Sequence, residues 1–159
     1  MKIRLWSDIH LEFGDMKYTE RDDDHETVLV IAGDFQVGTR AEEFLRFLCT
    51  RFKAVVYTTG NHEYYGEVIQ HVDRALEQLS YEIANFHFLN PGYAIIDDVK
   101  FIGATLWTDF NRADPVTMQV AKFSMNDYHK IKWCYGGDSF NKVIPNVIFG
   151  INQKHRKFI

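Results

Sequence analysis

Apolar and polar positions alternate over residues 2–7, with Ile3 and Leu5 set between polar neighbours, and this period of two predicts a strand. Residues 27–35, TVLVIAGDF, form a near-continuous apolar run ending in Gly33-Asp34, the pattern of a strand buried on both faces. Ala41, Phe44, Leu45, Leu48 and Phe52 then recur at helical spacing, and residues 54–57 give a third strand leading through Thr58-Thr59 into Gly60-Asn61-His62-Glu63. Val68, Ile69, Val72, Leu76 and Leu79 mark one face of a second helix. Strand, loop, strand, helix, strand, helix is the order of a mainly parallel α/β layer.

The texture changes after residue 85. Residues 86–89 are short and β-like, Asn90-Pro91-Gly92 reads as a turn, and residues 93–96 and 99–107 flank Asp97-Asp98 as the arms of a hairpin. Residues 108–143 are irregular and rich in aromatics, with a helix expected around 116–123 and a loop at Gly136-Gly137. Ile148, Ile151, His155 and Phe158 return to helical spacing, with Pro145 suited to the first turn. Nothing after Ile159 closes that helix, which raises the expectation of a longer chain; a terminal helix docked by its last residues fits the pattern equally. His155 sits among Lys and Arg, and a surface position is expected for it. The acidic stretch 20–26, ERDDDHE, reads as a solvated loop.

Composition narrows the class. A chain of 159 residues with 46% apolar and 15% aromatic residues can bury a core and suits one domain, spanning 1–159. The formal charge of −4 argues against a broad duplex-binding surface, which needs clustered Lys and Arg, and leaves a small phosphorylated substrate open. Cys49 and Cys134 lie in no C-x-x-C pattern, so a reduced, cytoplasmic setting is expected. Asp8 interrupts any signal-peptide core, and no apolar run reaches the roughly 20 residues that a membrane-spanning helix needs.

Three polar clusters end the three strands: Asp8 and His10, then Asp34, then Asn61 and His62. In a parallel α/β sheet the carboxyl ends of the strands form the ligand-binding edge, so these groups should converge. Asp8 and His10, two apart on a strand, share a face and offer one oxygen and one nitrogen ligand. Mixed oxygen and imidazole donors suit Mn²⁺, Fe, Zn²⁺ or Ni²⁺, and a second carboxylate can bridge two ions that together clamp a phosphate ester.

D-x-H, then G-D, then G-N-H-[DE] resembles the calcineurin-like metallophosphoesterases over at least residues 3–66, and FIGATLWTDF at 101–110 looks like bacterial and phage members. The resemblance implies an α/β/β/α sandwich, here incomplete at its C-terminus, and a site of two divalent metal ions, manganese foremost, that hydrolyses phosphomonoesters or phosphodiesters. Carried over by motif, Asp8 and His10 would hold the first ion, Asp34 would bridge both and Asn61 would hold the second. His62 would contact the phosphate and protonate the leaving group, and Glu63 would orient His62. The family pattern ends in further histidines, one after a later strand and two in G-H-x-H, and neither segment occurs in this chain. By resemblance the first ion keeps three protein ligands and the second two. Three expectations follow: part of a longer phosphoesterase, a short chain completed by a homo-oligomer or partner chain, or an inactive binding or regulatory module. In the second case, the sheet face that missing strands should cover would be exposed. A nucleic-acid substrate has no support in the charge pattern.

Overall fold

The protein is described by a computed structural model, covering residues 1–137 and 139–159. Strands β1 (Lys2–Trp6), β2 (Thr27–Ala32), β3 (Ala54–Thr58) and β4 (Phe86–Phe88) form a parallel sheet in the order β1-β2-β3-β4. The helices α1 (Glu42–Arg51) and α2 (Ile69–Glu82) are the crossovers from β2 to β3 and from β3 to β4. Register explains the two faces. Leu29 pairs beside Val55 and Ile31 beside Tyr57, and all four turn toward Leu45, Leu48, Leu76 and Leu79 of the helices. Val28, Ala54 and Val56 turn the other way, onto Ala94, Ile96 and Phe101 of a β-hairpin. The mixed α/β class and the order of the first eighty residues agree with the sequence reading.

Among the described residues that hairpin, β5 (Gly92–Ile96) and β6 (Val99–Gly103), forms the second sheet layer over β2 and β3. Ile3 and Leu5 of β1 are in register with Val28 and Val30, on the same inter-sheet face, yet they are 55% and 65% exposed. An open apolar face therefore lies along β1, at the edge of the sheet, and Tyr93, Ile95 and Ile102 of the hairpin are exposed as well. Strand β6 stops at Gly103, short of the predicted residue 107. A Cβ at Gly103 would lie 2.7 Å from the Leu89 Cβ, so only glycine lets the hairpin end pack against the chain leaving β4.

Beyond it come a left-handed turn α3 (Phe110–Ala113), then α4 (Pro115–Ser124), α5 (Asp127–Lys130), the hairpin β7 (Lys132–Cys134) and β8 (Phe140–Lys142), and α6 (Pro145–Phe158). Asp114 caps α4 by accepting from the Thr117 N–H at 2.7 Å, as its residue type favours. Asp138, in the loop predicted at Gly136-Gly137, lies outside the described residues.

Two surface expectations are corrected. His155 is only 3% exposed; its Nδ1 accepts from the Leu106 N–H at 3.2 Å, while Asn152 donates to the carbonyls of Leu106 and Trp107. Leu106 and Trp107 have positive φ, so α6 satisfies backbone groups that no regular ladder can reach. The Lys/Arg-rich pattern hid this because His155 turns away from its basic neighbours. Within 20–26, Asp24 is 2% exposed rather than solvated, because it accepts from Arg4, Tyr18 and the Arg21 N–H. Arg4 lies against the Phe52 ring on the helix face of β1, and a cation partly buried there requires an anion.

Below the carboxyl edge a polar network ties β3, α2 and the β6 end together. The Tyr64 hydroxyl donates to Asp73 at 2.7 Å and meets Thr59 at 2.7 Å, and Asn90 donates to Tyr64 at 2.8 Å and accepts from the Thr105 N–H at 3.0 Å. Burial pushes the Asp73 carboxyl up to about 6, against the hydrogen bonds from Tyr64 and Asn90 that favour its charged form. With the folded value above the unfolded one, the folded state binds the extra proton, so stability falls as pH rises from about 4 through about 6. Asp73→Asn should therefore stabilise the protein by about 1 to 3 kcal/mol at pH 7.5 and by nearly nothing at pH 4. Thermal melts at the two pH values check this; an equal change at both would contradict it.

Candidate active site

The local backbone at the carboxyl edge is unusual for L-residues. Asp8, His10 and Asp34 have φ of 53°, 51° and 52°, all in the left-handed region. Non-glycine residues are held there only when surrounding contacts impose it, and such strain concentrates at functional sites. Here the contacts are backbone bonds between the two loops: Asp8 N–H to Gly33 O at 3.1 Å, His10 N–H to Asp34 O at 2.8 Å and Leu11 N–H to Phe35 O at 2.9 Å. Strand β1 ends at Trp6, so these bends, rather than strand alternation, put Asp8 and His10 together.

The motif glycines have a steric reason. A Cβ at Gly60 would lie 2.1 Å from Asp34 Oδ1, and a Cβ at Gly33 would lie 2.9 Å from the Gly60 nitrogen. The β2 and β3 loops therefore touch backbone to backbone, and the Asp34 carboxylate occupies the space a side chain at residue 60 would need. The His62 N–H donates to that same Oδ1 at 3.0 Å.

Asp8, His10 and Asp34 each present a ligand atom within 4.8 Å of the others. Two carboxylates and one imidazole match the donor chemistry of a borderline divalent cation, so the residues present fit a first ion. The Asn61 amide nitrogen donates to the Tyr65 hydroxyl at 3.3 Å, which leaves its oxygen as the acceptor. Among the described residues the groups able to hold a metal contain no other histidine than His10 and His62. His87 lies on β4, His155 is engaged with Leu106, and His129 lines the cleft beside His62.

Glu63 stands elsewhere than the motif implied. Its Oε1 accepts from the Phe35 N–H at 2.8 Å and the Tyr57 hydroxyl at 2.8 Å, and its Oε2 from the N–H groups of Asp34 at 3.1 Å and Gly60 at 2.8 Å. All of these are loop and strand-end donors, so the fully buried carboxylate pins the two metal-facing loops to each other. Burial drives its pKa up while the Phe35 N–H and the Tyr57 hydroxyl pull it down, and the net direction is upward.

The side-chain partner of His62 is Glu12. A single oxygen, Glu12 Oε1, meets His62 Nδ1 at 2.7 Å and His10 Nδ1 at 3.0 Å. With both Nδ1 atoms donating, each ring turns its Nε2 outward, and His10 Nε2 lies 3.8 Å from Asp34 Oδ2. Burial alone would raise the Glu12 pKa, but the hydrogen bonds from His10 and His62 outweigh it and lower it; the same bond raises that of His10. Among the described residues Glu12 Oε2 is buried without a partner, an unsatisfied acceptor. Sequence reasoning missed Glu12. The available signal was one acidic residue in the apolar pair Leu11 and Phe13, two positions past His10, in D-I-H-L-E.

The His62 ring is sandwiched loosely by aromatics, stacked on Tyr65 with centroids 4.3 Å apart and edge-on to His10 at 4.4 Å. A cleft of about 490 Å³ opens beside it. A separate cleft of about 410 Å³, between α2 and α6, contains none of Asp8, His10, Asp34, Asn61 or His62.

The chain is 28% identical over 147 residues to uncharacterized protein L509 of Acanthamoeba polyphaga mimivirus, covering 82% of this chain and 51% of that protein. It thus spans about half the length of that curated relative. No solved structure gives a significant match. Among the described residues no helix is long and apolar enough to cross a membrane. The calcineurin-like phosphoesterase profile matches residues 1–152, with Asp8, His10, Asp34 and the Gly60–Glu63 motif all inside that span, and the chain belongs to that family.

Proposed function

We propose that this chain hydrolyses phosphate esters, monoesters or diesters, using divalent metal ions held at the carboxyl edge of its parallel sheet. The observation that carries the reading is the convergence of Asp8, His10 and Asp34 within 4.8 Å, on backbone that only a cross-braced pair of loops sustains. In this reading Asp8, His10 and Asp34 hold the first ion, and Asp34 with Asn61 holds a second. Manganese suits the mixed oxygen and nitrogen donors, as do iron, zinc and nickel. A bound divalent ion supplies positive charge that polarises the phosphoryl oxygens.

The chain's own residues supply orientation and proton handling. The Asp34 carboxylate is fixed by the His62 N–H, and Glu63 fixes the loop that carries it. His62, with Nδ1 bonded to Glu12, keeps Nε2 for the leaving oxygen of the ester and delivers a proton there. Glu12 is a positioning residue for both rings, in the manner of the carboxylates behind metal-binding histidines. Ile3 and Leu5 remain open on the inter-sheet face, so a second copy or another chain covering them belongs to the same account.

The test is hydrolysis of bis-p-nitrophenyl phosphate and p-nitrophenyl phosphate by chelator-stripped protein with Mn²⁺ restored. Turnover that appears with Mn²⁺ and is lost in Asp34→Asn supports the reading. Turnover of neither ester under those conditions would reject it for this chain and favour a binding module or a need for a partner.

A further inference from the structure

The cleft beside His62 has a lining that the acidic composition of the chain conceals. Arg40, Lys130, Lys132 and Lys142 converge on it, against one carboxylate, Glu12, which is already bonded to both histidines. These four cations come from three distant stretches: the loop before α1, the α5–β7 junction and β8. Backbone bonds bring the lysines to the residues that follow the GNHE segment. Gly66 N–H donates to Lys130 O at 3.1 Å, Lys132 N–H to Glu67 O at 2.9 Å and Val143 N–H to Ile131 O at 3.0 Å. The β7–β8 hairpin is thereby docked along the residues that follow Tyr65.

Among the described residues none of the four cations is in an ion pair; Lys130 instead lies 4.8 Å over the Tyr65 ring, which itself stacks on His62. Like charges gathered without counter-ions repel one another, and a protein with net charge −4 has acids to neutralise them elsewhere. Their placement is explained by an anion that they share. Phosphate recognition by lysine works as a point charge, so several lysines around one cleft suit a flexible, multiply charged group.

We infer that the substrate carries at least one further phosphate beyond the one that is cleaved, and that Arg40, Lys130, Lys132 and Lys142 hold it: a small polyphosphorylated molecule of nucleotide size. This rests on the phosphoesterase reading above. The cleft, about 490 Å³, is of small-ligand dimensions. The four basic residues line one hollow, the arrangement of a small-ligand site. Phe13, 79% exposed at the rim, gives an open aromatic face beside the anion site.

Calorimetry without added metal tests the inference, with α,β-methylene-ADP and AMP as probes. The diphosphate analogue should bind at least tenfold more tightly than AMP, and the double variant Lys130→Ala, Lys142→Ala should lose that advantage. Both lysines are exposed, so the variant should melt with the parent. Equal affinity for the two probes, binding of neither, or a double variant that keeps the advantage would overturn the inference. So would an oligothymidylate that binds more tightly than the analogue through the same lysines, since that would make the cleft part of a strand-binding surface. The probe is not cleaved and no metal is present, so the outcome is read separately from hydrolysis. A protein that fails to turn over bis-p-nitrophenyl phosphate yet discriminates the two probes loses the proposed reaction and keeps the anion site.

Discussion

His62→Ala is expected to slow turnover of an alkyl phosphate by about 10² to 10⁴-fold, the usual contribution of a positioned general acid, while changing Mn²⁺ affinity little. The separation follows from which atoms His62 uses. Its backbone N–H braces Asp34 and survives the substitution, whereas the ring that faces the leaving oxygen is lost. The defect should also grow with the basicity of the leaving group, because p-nitrophenolate departs with little help and an alkoxide does not. Glu12→Gln should reproduce a weaker version, about 10 to 100-fold, since the amide can present a hydrogen to Nδ1 and disturb the tautomer. Kinetics across a leaving-group series, with Mn²⁺ titrations of the same variants, decide the matter. If His62→Ala lost metal binding and turnover in equal measure, His62 would be a ligand and its assigned role in proton transfer would be wrong.

Glu63→Ala should be the most destabilising single change at the site, costing about 4 kcal/mol or more. It removes the acceptor of three backbone N–H groups and of the Tyr57 hydroxyl, and the Phe35 N–H and the Tyr57 hydroxyl among them are buried. An orphaned buried donor costs about 1 to 3 kcal/mol, and a domain's whole stability is about 5 to 15 kcal/mol. Glu63→Gln should fall close to Ala, because its NH₂ would face N–H groups where the carboxylate oxygen now accepts. Urea unfolding measures both. A Gln variant within about 1 kcal/mol of the parent would mean that the carboxyl is held neutral and that the four-donor description overstates its charge.

Much of this architecture was legible because the apolar period reports burial directly. The runs 27–35 and 54–57 and the helical face of Val72, Leu76 and Leu79 gave the parallel sheet and both crossovers. The strand-end clusters were legible too, because parallel topology sends successive strand ends to one edge. What stayed hidden depends on direction rather than period. The left-handed bends at Asp8, His10 and Asp34 leave no apolar signature, and they replace the strand alternation that the D-x-H spacing suggested. Glu63 follows His62 in the chain but turns inward to backbone donors, so the orienting contact fell to Glu12, fifty residues upstream of His62. Arg40, Lys130, Lys132 and Lys142 are scattered in sequence, and an overall charge of −4 masks their convergence. His155 looked solvated because its neighbours are basic, although the helix turns it toward Leu106.

The central claim is that the strand-end cluster of this chain holds a catalytic metal, and titration of chelator-treated protein with Mn²⁺ by calorimetry tests it most directly. Saturable binding is expected in the parent, with the first ion held more tightly than any second, and its loss is expected in Asp34→Asn, whose carboxylate is proposed to serve both ions. Binding absent in the parent, or unchanged in Asp34→Asn, would contradict it.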